Sequence, residues 1–172
     1  MSVGRYRHIA AVGQQDDTCC WAACMEWWAR ATGKEETEQW NLMEDYDQLW
    51  MNSPDGTISR AGMISLVSDS RWDMAHQVLP DRSHLTTAVM FAFLRSGPVY
   101  TGFFDRNVGG NHVNVIYGMD DAETNPQLFV MEPAASRNED GSFVGRHLHR
   151  NLNYYRTQGE IILASPRQSS AS

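Results

Sequence analysis

The chain has 172 residues, of which 42% are hydrophobic and 20% are charged. This length fits one globular domain, and the composition argues against disorder. The net charge of −7 has the wrong sign for general nucleic-acid binding, so we expect no nucleic-acid partner. No apolar run approaches the ~18 residues of a membrane span, and no apolar stretch follows the charges at the amino end. We therefore predict no membrane span and no signal peptide.

Helical signals dominate the first half of the chain. Thr18 is a candidate N-cap for a helix that continues through Ala31 and stops at Gly33. Its apolar residues recur at helical spacing and predict one buried stripe, formed by Cys20, Cys24, Trp27, Trp28 and Ala31. A second helix is predicted over residues 35–51. Ser59 is expected to open a short third helix, and Ser83 is expected to cap a fourth over residues 84–95.

Strand signals dominate the second half. They predict strands over residues 99–104, 111–118, 127–131 and 160–164, whereas residues 148–155 are ambiguous. Helices followed by an antiparallel sheet indicate an α+β fold. We expect a single domain over residues 1–164, with a helical lobe at about 14–96, a sheet lobe at about 98–164 and a flexible tail at 165–172.

The three cysteines lie within six residues of one another, at Cys19, Cys20 and Cys24. Three cysteines at this spacing cannot crosslink the fold through disulfide bonds, and the spacing does not match a zinc site. We therefore expect free thiols in a reducing compartment, with no metal and no cofactor. Cys20 lies in the first turn of the predicted helix, where unpaired backbone N–H groups favour a thiolate, so position alone makes it the candidate nucleophile.

Residues 14–23, Gln-Gln-Asp-Asp-Thr-Cys-Cys-Trp-Ala-Ala, resemble the nucleophile segment of papain-like cysteine proteases. In that family a Gln and a short loop precede a Cys-Trp pair that opens a long helix. The resemblance implies that Cys20 is the nucleophile and that Gln14, six residues earlier, contributes to the oxyanion hole, with Gln15 as the alternate. The small residues after Trp21 are most similar to compact bacterial members, including effector-type proteases delivered into host cells.

The second half resembles the same family. Residues 109–118 begin with Gly-Gly-Asn-His and continue as an alternating strand, which implies that His112 is the general base. Residues 129–133 resemble the strand whose Asp or Asn orients the imidazole, a position occupied here by Glu132. The extra methylene of Glu makes the orienting contact the weakest part of the match, and Asp120 and Asp121 are fallback candidates. We expect Trp21, Gly110 and Asn111 to contact the substrate, although Trp21 could instead pack beneath the site.

The resemblance implies a papain-like fold, with the nucleophile helix packed on the sheet, and a peptidase that acts through Cys20, His112 and Glu132. The alternatives are a related amidase, deamidase or acyltransferase, or a non-catalytic module that binds a partner protein.

A protein or peptide is the expected substrate, and the effector resemblance adds a host or immunity protein as a partner; the oligomeric state is left open. The expected location is the cytoplasm or, by a non-classical route, a target cell. The net charge favours basic or neutral peptides unless the local charge of the cleft opposes it.

Overall fold

The computed structural model describes residues 3–168, which form helices packed on a six-stranded antiparallel sheet of order β1-β6-β2-β3-β4-β5. The strands are Met74–Leu79 (β1), Val99–Asp105 (β2), Gly110–Met119 (β3), Gln127–Arg137 (β4), Phe143–Asn151 (β5) and Ile161–Pro166 (β6). The α-helices are Val3–Arg7 (α1), Cys20–Ala31 (α2), Gln39–Asp45 (α3), Arg60–Ser68 (α4) and Thr87–Leu94 (α5). Short 3-10 turns cover Asp47–Leu49, Arg82–His84 and Leu152–Tyr155. The predicted α+β fold is confirmed.

The central helix α2 is enclosed by protein on almost all sides. It packs against β3, β4 and α3, and Arg30 is its only exposed residue. The predicted stripe is confirmed, since all its members are buried. The indole N–H of Trp28 donates to the carbonyl oxygen of Pro98 at 2.9 Å. This hydrogen bond satisfies the buried indole N–H and links α2 to the residue just before β2.

The start of α2 differs from the prediction. Its N-cap is Cys19, not Thr18, and the cap side chain accepts no hydrogen bond from the helix. Thr18 instead donates its backbone N–H and its hydroxyl to Oδ1 of Asp16, each at 2.7 Å, in a local turn. The backbone N–H groups of the first turn are therefore not occupied by a capping side chain. The other end agrees with the prediction, because Gly33 adopts a φ of +71° just after the helix.

Two of the predicted helices are wrong in extent. The helix predicted over residues 35–51 is reduced to α3 and a 3-10 turn. Ser83 does not cap α5; Thr86 does, by accepting from the backbone N–H of Val89 at 3.1 Å. Ser59 caps α4 as predicted, accepting from the N–H of Gly62.

The sheet includes two strands that the sequence did not predict as such. The edge strand β1 lies inside the predicted helical lobe, between two predicted helices where no element was predicted, and it pairs with β6. The ambiguous segment forms the end of β5 and a 3-10 turn, and β5 begins upstream at Phe143. Ser165 and Pro166, predicted as part of the tail, belong to β6, whereas residues 169–172 of that tail lie outside the described residues. Within residues 3–168, the helices are too short or too polar to cross a bilayer.

Candidate active site

The beginning of β3 carries the predicted general base, and the neighbouring strand carries its acidic partner. Val115 pairs with Met131, so one position further along the register Asn114 faces Glu132. His112 is two residues from Asn114 and therefore shares its face of the strand. This arrangement brings the imidazole and the carboxylate together across the two strands.

Nε2 of His112 and Oε1 of Glu132 are 2.6 Å apart, and both residues are buried. Burial lowers the pKa of His112, but hydrogen-bond and charge interactions with Cys20 and Glu132 outweigh it and raise that pKa to about 10. Burial raises the pKa of Glu132, but His112 and Arg150 hold it at about 2. The pair is thus an imidazolium held by a carboxylate, with Nε2 as the donor.

Cys20 reaches the same place from the helix. One turn further along α2, the Cys24 thiol donates to the carbonyl oxygen of Val113 at 3.3 Å, so the start of the helix lies over the start of β3. Cys20 and His112 line one cleft of about 740 Å³, together with Gln14, Gly110 and Asn111. A thiol, an imidazole and a carboxylate therefore converge on a space that can hold part of a polypeptide.

Of the two candidate amides, only Gln14 lies in this cleft. Its side chain is buried, and Nε2 donates to the carbonyl oxygen of Asp16 at 2.7 Å, which leaves the second hydrogen of the amide unassigned. Gln15 is exposed, and its backbone N–H donates to Oε1 of Gln39 at 3.2 Å. The structure thus separates the two alternatives by position.

Gln14 is held by backbone contacts that the sequence analysis missed. Its N–H donates to the carbonyl oxygen of Pro133, and its carbonyl accepts from the N–H of Phe143, so the residue is inserted where the β4–β5 register is irregular. A Cβ on Gly13 would lie 1.9 Å from the carbonyl oxygen of Phe143, and one on Gly145 would lie 2.4 Å from that of Val12. The backbones can approach this closely only because both residues are glycines.

The other two thiols are buried outside the cleft and form hydrogen bonds there. Cys19 is buried and accepts from the backbone N–H of Gln15 at 3.2 Å, and burial raises the pKa of its thiol to about 12. Cys24 is fully buried, and burial raises the pKa of its thiol well above the ordinary value. Neither thiol lines the cleft.

Arg150 is the residue that sequence reasoning did not find. Its guanidinium donates to Oε2 of Glu132 and to Oδ1 of Asn114, and it lies 4.2 Å from the ring centroid of Tyr154. Asn114 donates to Oε2 of Glu132 at 2.7 Å and accepts from the hydroxyl of Tyr155. Oε2 of Glu132 is therefore held by Arg150 and Asn114, while Oε1 contacts the imidazole and accepts from the backbone N–H of Ala134 at 2.9 Å. The alternation that includes Asn114 was visible in the sequence, but the pairing with β5 that brings Arg150 here was not.

Three further residues considered from the sequence, Trp21, Asp120 and Asp121, lie outside the cleft. Of the two alternatives for Trp21, contact with the substrate is wrong and packing inside the protein is observed, because the side chain is completely buried and does not line the cleft. Its carbonyl oxygen accepts from the hydroxyl of Tyr100. Asp120 does not orient the imidazole, because its Oδ1 accepts from the N–H groups of Ala122 and Gln127 in the turn at the opposite end of β3. Asp121 is exposed in the same turn.

Between residues 3 and 168, no three His, Cys, Asp or Glu side chains form a group suited to a metal ion. In the cleft, Glu132 is instead paired with His112 and Arg150, and Asp17 is paired with Arg137.

The α+β architecture, with a buried helix opening at Cys20 over an antiparallel sheet, is that of the papain-like cysteine proteases. A family model described as "Papain-like cysteine protease AvrRpt2" matches residues 6–145, and the chain belongs to this family. The match includes Gln14, Cys20, His112 and Glu132, and the resemblance to effector-type bacterial members is confirmed. No curated protein matches the chain.

Proposed function

We propose that the protein is a cysteine peptidase in which Cys20, His112 and Glu132 form the catalytic triad and Gln14 contributes to the oxyanion hole. The observation that carries the proposal is the buried contact of 2.6 Å between His112 and Glu132, beside a thiol that opens a helix in the same cleft. A nucleophile, a base and an orienting group are the parts that acyl transfer needs.

The reaction uses each group in turn. The thiolate of Cys20 attacks the scissile carbonyl carbon, and the resulting oxyanion accepts hydrogen bonds from the backbone N–H of Cys20 and the amide of Gln14. The imidazolium of His112 protonates the leaving amine as the C–N bond breaks, which leaves a thioester. His112 then takes a proton from water, the hydroxide attacks the thioester, and the thiolate leaves as the carboxylic product forms.

Arg150 acts in this scheme as a positioning residue. Glu132 has one methylene more than the Asp or Asn usual at this position, and a longer side chain has more rotamers to lose. The contacts from Arg150 and Asn114 to Oε2 hold the carboxylate in one orientation, so Oε1 stays directed at the imidazole. The replacement of Asp by Glu is thereby compatible with an ordered triad.

The same machinery serves amidases, deamidases and acyltransferases, which differ in acceptor and substrate pocket. The non-catalytic alternative depended on Glu132 and on the Cys19–Cys20 pair. Glu132 contacts the imidazole, and the buried thiol of Cys19 accepts a hydrogen bond from the backbone N–H of Gln15. Both features are therefore compatible with a hydrolase. Peptide hydrolysis is the activity that the family match favours.

We further propose that the peptidase is a bacterial effector or toxin that acts on a protein in a target cell, with a host or immunity protein as a second partner. Membership of the AvrRpt2 family supports this role. Delivery by a non-classical route would then carry the protein from the bacterial cytoplasm to its substrate.

Thiol alkylation and peptide cleavage test the proposal together. With iodoacetamide at neutral pH, we expect Cys20 to react much faster than Cys19 and Cys24, and His112→Ala to remove that difference. A peptide library should be cleaved by the wild type but not by Cys20→Ala. Three equally slow thiols and an uncut library would overturn the proposal.

A further inference from the structure

A second pocket of about 710 Å³ adjoins the cleft, and we call it the arginine pocket. The two cavities share Asp105, Asn107 and Tyr154 as lining residues. Tyr154 forms the border, with the Arg150 guanidinium against its ring and its hydroxyl donating to Oδ2 of Asp105 at 2.8 Å. The arginine pocket is therefore the immediate neighbour of the cleft that holds Cys20, with Tyr154 between them.

The arginine pocket carries positive charge in an acidic chain. Arg82, Arg106 and Arg156 line it, and Asp105 is its only acidic residue. Asp105 is buried, and its carboxylate already accepts from the hydroxyl of Tyr154 and from the backbone N–H of Asn107. None of the three arginines forms an ion pair within residues 3–168.

Arg156 is fixed in place while its charge stays uncompensated. Its Nε donates to the carbonyl oxygen of Leu85 at 2.8 Å, and Nη1 donates to the carbonyl oxygen of Thr124 and to Oδ1 of Asn153. All of these acceptors are neutral, so they orient the guanidinium without cancelling its charge. A pre-oriented guanidinium loses little side-chain entropy when it binds an anion.

The cleft around Cys20 lacks this excess of positive charge. Asp17 and Asp55 line it together with Glu132, while its two arginines, Arg137 and Arg150, are paired with Asp17 and Glu132. Asp55 bonds only to neutral groups of its own turn. The charge therefore changes from close to balanced in the cleft around Cys20 to net positive in the arginine pocket.

We propose that the arginine pocket is a substrate subsite for an acidic side chain, Asp or Glu, placed on one side of the scissile bond. This inference rests on the proposed peptidase function and specifies its substrate class. It also reverses, at this subsite, the preference for basic or neutral peptides that net charge alone predicts. A carboxylate is the anion that a polypeptide substrate itself supplies, and guanidinium groups bind it in a planar, bidentate geometry.

The test compares matched peptides that differ only by Glu against Gln, at each position flanking a sequence that the enzyme cleaves. We expect a higher kcat/KM for Glu, about five- to tenfold at low salt, at positions on one side of the cut. The double variant Arg82→Gln/Arg106→Gln should lose this preference; these side chains are exposed, so the fold should not depend on them. The matched control is Arg30→Gln/Arg95→Gln, which makes the same change in net charge at exposed sites away from the pocket and should keep the preference.

Binding separates this inference from the proposed function. Peptides that carry a run of Glu or of Gln are titrated against the Cys20→Ala protein, with and without the two pocket substitutions. Tighter binding of the Glu peptide, weakened by salt and lost in the pocket variant, supports the subsite even if no peptide is cut. Equal binding of both peptides, or a Glu preference that is undiminished by loss of Arg82 and Arg106, overturns it even if the enzyme is an active peptidase.

Discussion

Nε2 of His112 and Oε1 of Glu132 lie 2.6 Å apart across two neighbouring strands, although 20 residues separate them in the chain. Because Glu132 occupies Nε2, the other ring nitrogen, Nδ1, is the one available to exchange a proton with Cys20. The contact thereby sets both the orientation and the tautomer of the imidazole. The testable consequences of the site follow from this arrangement.

Glu132→Gln should lower kcat/KM by about 100-fold or more, because a neutral amide stabilises the imidazolium less and can present the wrong group to Nε2. The measurement is cleavage of a peptide found in the library, with circular dichroism to verify the fold. Asp120→Asn is the control, since an Asn Oδ1 can still accept in the distant turn, and it should leave activity unchanged. If Asp120→Asn were as damaging as Glu132→Gln, the orienting role of Glu132 would be wrong.

Arg150→Gln should lower kcat about tenfold with little change in KM, because one charge-assisted hydrogen bond behind the triad is lost. Arg150 holds the pKa of Glu132 down. Without it that pKa rises, so the acid limb of the pH–rate profile should move to higher pH. Arg146→Gln, an exposed residue of the same strand, serves as the control. A uniform loss of activity with an unmoved profile would indicate a merely structural role.

Gln14→Ala should reduce kcat by about 10- to 100-fold through loss of an oxyanion donor. Gln15→Ala should be close to wild type, because Gln15 is exposed and outside the cleft. Kinetics of the two adjacent variants, with thermal unfolding as a check on the fold, distinguish the roles. Equal effects of both substitutions would contradict the assignment to Gln14.

Cys20→Ala and Cys24→Ala should have opposite consequences. The first should abolish cleavage while the fold is retained. The second should destabilise the protein by about 1–3 kcal/mol, because it removes a fully buried thiol that bonds to the carbonyl of Val113. Urea unfolding combined with activity measurements gives both quantities. A Cys24→Ala protein that is stable but inactive would show that Cys24, and not only Cys20, is needed for the reaction, which would contradict the assignment of the nucleophile.

The pairing of His112 should make stability fall at alkaline pH. Its folded pKa is raised from 6.5 to about 10, so its contribution is fully present below 6.5 and is lost as the pH rises through 10. The free energy of unfolding from urea titrations, followed across this window, should fall more steeply for the wild type than for His112→Asn. For Glu132, with a pKa lowered from 4.5 to about 2, the contribution is present above 4.5 and lost as the pH falls through 2. Parallel alkaline curves for the wild type and His112→Asn would show that the pair adds no pH-dependent stability.

Some features could be predicted because their determinants are adjacent in the sequence. The apolar spacing of α2 and the alternation of β3 each depend on one short segment, and both elements formed as predicted. The capping role of Ser59 also depends on a few neighbouring residues. Cys20 and His112 were placed as candidates on these elements and on the family resemblance, and the fold brings them into one cleft.

Other features depended on partners that are distant in the chain. The helix predicted from residue 35 begins only at Gln39, where the backbone N–H donates to Glu26 of α2 and the side-chain amide donates to the carbonyl of Gly13. These tertiary hydrogen bonds fix the start of α3 and override local helix propensity. The strand β1 exposes His76 and Gln77 and is defined by its pairing with β6, so its own residues carry little strand signal.

The sequence by itself therefore determined the helix that carries the thiol, the strand that carries the imidazole and their order along the chain. Only the tertiary structure placed Gln14 in the cleft and Gln15 outside it, buried Trp21 and brought Arg150 to Glu132. The physical reason is the distance along the chain between the residues that interact. Helix and strand periodicity arises from neighbours within a few residues, whereas the register between strands and the closure of the Gly13–Gly145 contact are set by backbones that meet only in the folded protein.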